Sequence, residues 1–248
     1  MSRTLKILSI IIALATVIPL SAGSPRLNNK IQNRPYADLR PWHLGFSVGL
    51  HTQDIRFAHN GLVTEEGETW FMEQPAFSPG FCVNGLFDLR LNDYFSVRFT
   101  PGMYFGNREI SMINTSATED AVGPEARIKQ NLKSTLVVLP LDIKFAAQRF
   151  RNCRPYLVGG VMPTIDVSKK RPDYIKLKST DVFLEVGFGC DFYLPYFKFN
   201  PEIKFCFGLA DALTHRRPDL VDDPGMMKIT NSLKRATSQM VVLTFYFE

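Results

Sequence analysis

Hydrophobic and polar residues alternate with a period of two near the end of the chain. Between 197 and 209, one parity carries Phe197, Phe199, Ile203, Phe205, Phe207 and Leu209. The opposite parity carries charged, polar or small residues, among them Lys198, Glu202 and Lys204. Successive side chains of a β-strand point to opposite faces, so this stretch is predicted to be a strand with one apolar and one charged face.

The same alternation recurs in seven earlier or later stretches after Trp42. Their apolar positions begin at Phe46, Phe81, Phe95, Val137, Leu157, Val182 and Val241. Together with the stretch at 197–209, they predict eight strands.

Short and long connections alternate between these strands. The short ones lie near 92–93, 148–153 and 195–196, and the long ones cover about 58–76, 106–131, 168–178 and 210–235. Short turns at one end and long loops at the other are typical of outer-membrane barrels. The predicted fold class is therefore all-β, an eight-stranded antiparallel up-and-down transmembrane barrel over residues 42–248.

A soluble β-sandwich also alternates, and the composition of the two faces separates the possibilities. The apolar parity carries large Phe, Leu and Val side chains, whereas the polar parity is rich in Gly and charge. The exposed face of a sandwich rarely holds so much Gly, so this composition favours the barrel. The last strand also ends in Phe-Tyr-Phe-Glu, an aromatic C-terminal sequence of the kind that the barrel-assembly machinery recognises.

Five prolines fall inside or near the predicted strands: Pro79, Pro101, Pro140, Pro163 and Pro201. A closed barrel has no free edge, and a proline cannot donate a ladder hydrogen bond. We therefore expect bulges or rim positions at these prolines.

The first residues have the pattern of a secretory signal peptide. Arg3 and Lys6 precede an apolar run over 7–20, and small residues follow at 21–23. This pattern predicts a signal peptide over 1–23, cleaved between Gly23 and Ser24. The polar, proline-containing stretch 24–41 is predicted to be a periplasmic lead-in. With eight strands, both termini of the mature chain are expected on the periplasmic side of the outer membrane.

The amino-acid composition argues against several other classes of protein and kinds of site. A mean hydropathy of −0.05 excludes a helical membrane bundle, and four Cys with four His make a disulfide scaffold or a zinc cluster improbable. The oxidising periplasm permits one disulfide, although free thiols are the simpler expectation. No His pairs with a Ser on a lipid-facing parity, so we expect no enzymatic activity. The few, scattered Cys and His lead us to expect no metal site, and we expect no cofactor. The net charge of +5, or +3 without Arg3 and Lys6, does not indicate a nucleic-acid partner.

Charged residues crowd the face that would point into the lumen. They are Asp88, Arg90, Arg98, Asp142, Lys144, Glu185, Asp191, Glu202 and Lys204. An eight-stranded barrel has an interior just wide enough for side chains, and unpaired charge there is costly. We expect an ion-pair network that fills the lumen. A gated polar path for protons or small ions is the functional alternative.

Basic residues also cluster outside the predicted lumen. Arg149, Arg151 and Arg154 crowd one short turn, where they are candidates for docking a partner. Basic clusters at 169–171 and 215–217 lie in predicted long loops, where they could contact lipopolysaccharide phosphates.

Several stretches, in their order and spacing, resemble the PorT family of barrels from Bacteroidetes. They are 42–50 (WHLGFSVGL), 78–81 (SPGF), 94–99 (YFSVRF), 154–158 (RPYLV), 184–187 (LEVG), 191–199 (DFYLPYFKF) and 201–205 (PEIKF). The resemblance implies a component of the type IX secretion system, which exports proteases and adhesins. Because a lumen this narrow cannot pass a polypeptide, we expect an accessory that docks other secretion-system proteins. The alternative is a small adhesin-like or lipopolysaccharide-binding barrel.

Overall fold

The computed structural model describes residues 33–59, 70–73, 78–114, 127–168, 175–214 and 233–248. The predicted signal peptide, its Gly23–Ser24 junction, the lead-in before residue 33 and the basic clusters at 169–171 and 215–217 lie outside the described residues. Within the described residues, no helix is long and apolar enough to cross a membrane.

The described part of the chain consists of strands that follow one short helical turn. A 3-10 helix covers Ala37–Leu39 in the predicted lead-in. The strands are β1 (Trp42–His59), β2 (Trp70–Glu73), β3 (Pro79–Arg90), β4 (Phe95–Phe99), β5 (Gly102–Asn114), β6 (Arg127–Val138), β7 (Leu141–Ala146), β8 (Cys153–Asp166), β9 (Thr180–Tyr193), β10 (Lys198–Gly208) and β11 (Leu233–Phe247).

Antiparallel pairing closes these strands into a ring with eight positions. β1 pairs with β3 on one side and with β11 on the other, and β11 leads through β10 and β9 to β8. In the other direction, β3 pairs with β4 and with β5. β4 pairs with β7 and β5 pairs with β6, and both β7 and β6 pair with β8. Three positions hold two strands each: β2 with β3, β4 with β5, and β6 with β7. The predicted eight-stranded antiparallel barrel is confirmed.

The two ends of the barrel differ. At one end, which we call the short-turn end, β3 turns into β4, β7 into β8 and β9 into β10 within a few residues, and β11 finishes there. The opposite end, called the long-loop end, carries the longer connections. The 3-10 helix lies at the short-turn end, because its residues bond to the turn between β7 and β8.

The expectation of bulges at the prolines is wrong for the wall of the barrel. β3 pairs with β4 and with β5 in one unbroken register, although Pro101 lies between them, and β6 and β7 likewise keep their register across Pro140. The proline carbonyls still accept bonds: Gly85 N–H donates to Pro101 (2.8 Å), Thr100 to Pro140 (3.2 Å) and Leu139 to Pro163 (3.0 Å). Each proline therefore costs one ladder bond without shifting the strand.

Large apolar side chains cover the outer face over most of the barrel's height. Phe46, Phe81, Ile143, Val186 and Phe205 are each 40% or more exposed on this face. At the short-turn end, aromatic rings of neighbouring strands stack on one another, such as Phe46 on Phe247 with centroids 5.3 Å apart. An apolar band bordered by aromatic rings is the surface that a lipid bilayer covers.

The pattern of faces reverses near the long-loop end. On β1, the outward Asp54 and Arg56 are exposed, whereas the inward Ile55 is only 4% exposed. The strands therefore continue past the apolar band as an extension with a polar exterior and an apolar interior.

The predicted loop boundaries are corrected by this extension. The ranges 58–76, 106–131 and 210–235 contain the end of β1, all of β2, the far end of β5, the start of β6 and the start of β11. Within 168–178 and 210–235, Leu177 and Leu213 form an isolated bridge and both are buried. In these segments the apolar residues face inward and the polar residues face outward. The sequence prediction assumed the opposite arrangement, so it did not assign these segments to strands.

Candidate functional site

A layer of ion pairs crosses the lumen towards the short-turn end. Arg98 of β4 is fully buried and donates from Nη1 to Glu202 Oε2 of β10 at 2.7 Å. Its Nη2 also donates to Asp88 Oδ2 of β3 at 3.2 Å. Because β4 and β10 occupy opposite positions of the ring, the Arg98–Glu202 pair spans the lumen.

Two lysines extend this layer towards the short-turn end. Lys144 Nζ lies 2.8 Å from both carboxylate oxygens of Asp191. Lys198 Nζ lies 2.5 Å from Glu248 Oε2 and 3.8 Å from Asp191 Oδ2. A third lysine, Lys204, lies on the other side of Arg98 and contacts a second group of carboxylates.

Lys204 is the most crowded cation of the layer. Its Nζ donates to Asp142 Oδ2 at 2.5 Å and to Glu185 Oε2 at 3.2 Å, and Glu202 Oε1 is 3.7 Å away. Every one of these carboxylates is at most 2% exposed. Removing this lysine would leave three buried carboxylates with less compensation.

Tyrosine rings pack around the cations and exclude water from them. The Arg98 guanidinium lies over the rings of Tyr156 and Tyr246, 5.3 and 4.9 Å from their centroids. Lys144 Nζ is 4.0 Å from the Tyr156 centroid. Tyr246 Oη also donates to Glu202 Oε1 at 3.1 Å, so the ring and its hydroxyl both support the central ion pair.

The structure brings together eight of the nine charged residues predicted for the lumen. They are Asp88, Arg98, Asp142, Lys144, Glu185, Asp191, Glu202 and Lys204. Arg90 stays outside this layer: it lies at the rim of the short-turn end and pairs with the exposed Asp93. Sequence reasoning left out Lys198 and Glu248, although both follow the polar parity of their strands.

An apolar layer fills the lumen beyond the ion pairs. It consists of the buried residues Cys82, Tyr104, Leu136, Val138, Met162, Phe183, Cys206, Met240 and Val242. On each shared strand these residues lie nearer to the long-loop end than the charges do. A further apolar cluster occupies the extension: Ile55, Trp70, Met72, Ile110, Met112, Ile175, Leu177, Ala212, Leu213, Leu233 and Ala236. Side chains therefore occupy the interior at three successive levels.

Among the described residues, small cavities lie beside these layers, and two of them are lined in part by charged side chains. One lies at the short-turn end against His43, Asp88 and Lys144, and the other lies towards the long-loop end against Arg108 and Asp181. Each offers about 40 Å³ of water-sized space, enough for a few water molecules. Among the described residues, no group of three or more His, Cys, Asp or Glu is arranged to hold a metal ion.

The lead-in is fastened to the turn between β7 and β8. Arg149 Nη1 donates to Asp38 Oδ2 at 3.2 Å and to the Arg34 carbonyl at 3.1 Å, and its Nη2 bonds to the Asn33 carbonyl. The Arg149 guanidinium also lies 3.5 Å from the centroid of Tyr193. This set of contacts, which we call the latch, holds the lead-in over the short-turn end.

Asp38 is the acidic centre of the latch. Besides Arg149, it accepts from Arg154 Nη1 at 3.3 Å and from the Tyr193 hydroxyl. Two of the three arginines proposed for partner docking are thus engaged within the chain. The third, Arg151, is exposed at the tip of the turn with a positive φ of 55°, and its guanidinium lies over the Phe150 ring.

Comparison with known proteins identifies a family and a set of similar folds. Residues 31–214 match the family described as outer membrane protein beta-barrel domain. No curated protein sequence matches the chain.

Three solved structures are similar at low sequence identity. Neisserial surface protein A shares 10% identity, with 84% of this chain and 98% of that chain covered and a TM-score of 0.40. OprG from Pseudomonas aeruginosa shares 13%, with 83% and 90% covered and a TM-score of 0.39. Ail, the attachment invasion locus protein of Yersinia pestis, solved with the heparin analogue sucrose octasulfate, shares 9%, with 84% and 99% covered and a TM-score of 0.34.

Proposed function

Because the chain belongs to the outer membrane protein beta-barrel domain family, and so is an outer-membrane barrel, we propose that it is an accessory component of the type IX protein secretion system. In this proposal it is required for the export of proteases and adhesins, docks other proteins of the system and does not conduct the cargo. The sequence resemblance to the PorT family supports the assignment to this system. The proposal gives the barrel no enzymatic activity and no nucleic-acid partner.

The observation that supports an accessory role is that side chains fill the lumen. The Arg98–Glu202 ion pair joins opposite walls at 2.7 Å, and the two apolar clusters occupy the interior beyond it. A polypeptide in transit would have to break buried ion pairs, each costly once a partner is lost. In this proposal, export therefore depends on the surfaces of the barrel.

We propose that the short-turn end faces the periplasm. The lead-in and the end of β11 both lie at this end, and short turns are typical of the periplasmic side of such barrels. The exposed surface there includes Arg151, Phe150, which is 48% exposed, and Tyr196, which is 92% exposed. A charge beside exposed rings is the composition that docking surfaces commonly have.

Complementation of a deletion strain tests this proposal. In a bacterium with a type IX system, deletion of the gene should leave cargo proteases inside the cell, and the wild-type gene should restore export. Arg151→Glu should reduce export while the barrel level in the outer membrane stays normal. Lys133→Glu, an exposed change on the extension, is the matched control and should restore export. Normal export by the deletion strain would overturn the proposal.

A small adhesin-like or lipopolysaccharide-binding barrel is the second candidate. The observation that favours it is the polar extension, whose outer face exposes the bases Arg56, Lys133 and Lys178 just beyond the apolar band. Lipopolysaccharide phosphates would lie at this height if the long-loop end faces outward. Binding of the purified barrel to lipopolysaccharide, lost in a combined Arg56→Glu and Lys133→Glu variant with export unaffected, would favour this role.

A further inference from the structure

Two cysteines meet on the outer face of the barrel near the short-turn end. β8 and β9 pair with Cys153 opposite Phe192 and Pro155 opposite Cys190. Cys153 and Cys190 are therefore diagonal neighbours on adjacent strands. Both lie on the outward parity and both are half-buried.

The side chains of this pair lie near each other. The Cys190 thiol is within electrostatic range of the Cys153 side chain, and it donates a hydrogen bond to the Asp191 carbonyl at 3.9 Å. Both thiols are free in this structure. The two remaining cysteines, Cys82 and Cys206, are 1% exposed inside the lumen.

The sheet is weakened on one side of the pair. Pro155, opposite Cys190, directs its carbonyl to β7, where it accepts from the Ala147 N–H at 3.0 Å, so its missing N–H costs a bond to β7 and none to β9. On the other side, the pairing of β9 with β10 lapses between Phe192 and Gly189, where Pro201 lies opposite. Cys190 thus occupies a stretch of β9 that keeps its register with β8 and loses ladder hydrogen bonds to β10.

We propose that Cys153 and Cys190 form a disulfide that staples β8 to β9 at this weak point. Outer-membrane proteins pass through the periplasm, an oxidising compartment where disulfides form and persist. The inference needs only this passage and does not rest on a role in secretion. Its effect is to fix the β8 strand next to the latch.

Closing the bridge requires a small movement of the backbone. Diagonal neighbours on antiparallel strands lie about 7–8 Å apart, beyond the roughly 4.4–6.8 Å that disulfides usually span. Cys153 is the first residue of β8 and is bonded through its backbone to Phe150 in the preceding turn, while Pro155 lacks one ladder bond to β7. The movement would therefore carry this turn and the start of β8 towards Cys190.

The oxidation proceeds by thiol–disulfide exchange with a periplasmic thiol–disulfide oxidoreductase. One cysteine of the pair loses its proton, and the thiolate attacks the disulfide of the oxidoreductase, giving a mixed disulfide and releasing one oxidoreductase thiolate. The second cysteine loses its proton and displaces the other oxidoreductase sulfur. The pair is oxidised by two electrons, the oxidoreductase disulfide is reduced to a dithiol, and the protons pass through solvent.

Thiol labelling of the full-length protein tests the proposal. Outer membranes are isolated with N-ethylmaleimide present from cell lysis, the barrel is unfolded in fresh N-ethylmaleimide, and the remaining sulfurs are labelled with iodoacetamide after reduction. Cys82 and Cys206 should carry the first label and Cys153 and Cys190 the second. Mass spectrometry without reduction should find one linked peptide joining Cys153 and Cys190. The first label on all four cysteines, or a link between any other pair, overturns the proposal.

Matched variants separate the staple from general folding effects. Cys153→Ser and Cys190→Ser should each abolish the linked peptide, whereas Cys82→Ser and Cys206→Ser should keep it. Reductant should lower the unfolding temperature of the wild-type barrel in detergent and leave that of Cys153→Ser unchanged. Equal sensitivity of the two proteins to reductant would contradict the stapling role.

Discussion

Arg98 and Glu202 meet in the middle of the barrel although their strands stand on opposite sides of the ring. The Arg98 Nη1 to Glu202 Oε2 distance is 2.7 Å, and both side chains are fully buried. Tyr246 completes the contact by donating its hydroxyl to the other oxygen of Glu202. This contact crosses the lumen, so the interior of the barrel is occupied by side chains at this level.

Removal of the central cation should destabilise the barrel strongly. Arg98→Ala leaves Glu202 and Asp88 buried without their partner, which costs about 3–5 kcal/mol. Lys129→Ala removes the cation of an exposed pair with Glu109 and should cost about 0–1 kcal/mol. Urea unfolding of the two variants in lipid vesicles compares them directly. Equal loss in both would show that the lumen pairs contribute no more than surface ones.

Adjacent glycines of β8 provide a test of how closely the lumen is packed. A Cβ on the inward Gly160 would collide with the Leu141 carbonyl and with Asp142, whereas on the outward Gly159 the nearest atom would be 3.8 Å away. Gly160→Ala should lower the free energy of unfolding by about 1–3 kcal/mol, the usual cost of overpacking. Gly159→Ala should leave it nearly unchanged. A reversed order would mean that the assigned faces of β8 are exchanged.

The apolar band predicts a depth-dependent penalty for charge on the outer face. Val186 is 53% exposed there, and Val186→Arg should cost about 2–4 kcal/mol if the residue lies at the bilayer midplane. Asp54→Arg places the same side chain outward on the polar extension and should be nearly neutral in vesicle refolding. Glu185→Gln, next in sequence but inside the lumen, should fold into the bilayer and weaken only the Lys204 contacts. Normal refolding of Val186→Arg would place that position outside the bilayer.

The latch should protect the lead-in from proteolysis. Asp38→Ala removes the acceptor shared by Arg149, Arg154 and Tyr193, so chymotrypsin should cleave after the exposed Tyr36 faster than in the wild type. Asp93→Ala, at an exposed acid of the same end, serves as the control. Mass spectrometry of timed digests measures both rates. Unchanged cleavage in Asp38→Ala would show that the latch does not hold the segment.

The lumen charges could be predicted from sequence because alternation alone assigns a face. Asp142, Glu185 and Lys204 follow a strict period of two between apolar neighbours, so their inward direction needs no tertiary information. Arg90 follows the same period but lies at the rim, where its long side chain reaches the following turn and Asp93. Alternation gives the face of a residue and not its height along the barrel axis.

Partners that come from distant segments could not be predicted in this way. Arg149 and Arg154 were expected to be available for a partner, and the acid that engages them lies more than a hundred residues earlier, in a stretch without periodicity. The extension was missed for another reason, since its inward residues are apolar and its outward residues are polar. The same residue types therefore indicate opposite faces on either side of the membrane boundary.

The central claim is that the barrel has no open path along its axis, and conductance tests it most directly. The purified protein is reconstituted into a planar bilayer, with insertion verified by the heat-dependent gel mobility of the recovered barrel. A lumen crossed by the Arg98–Glu202 pair and filled by two apolar clusters predicts no large, steady conductance. A steady conductance of the size given by a water-filled porin would contradict the account.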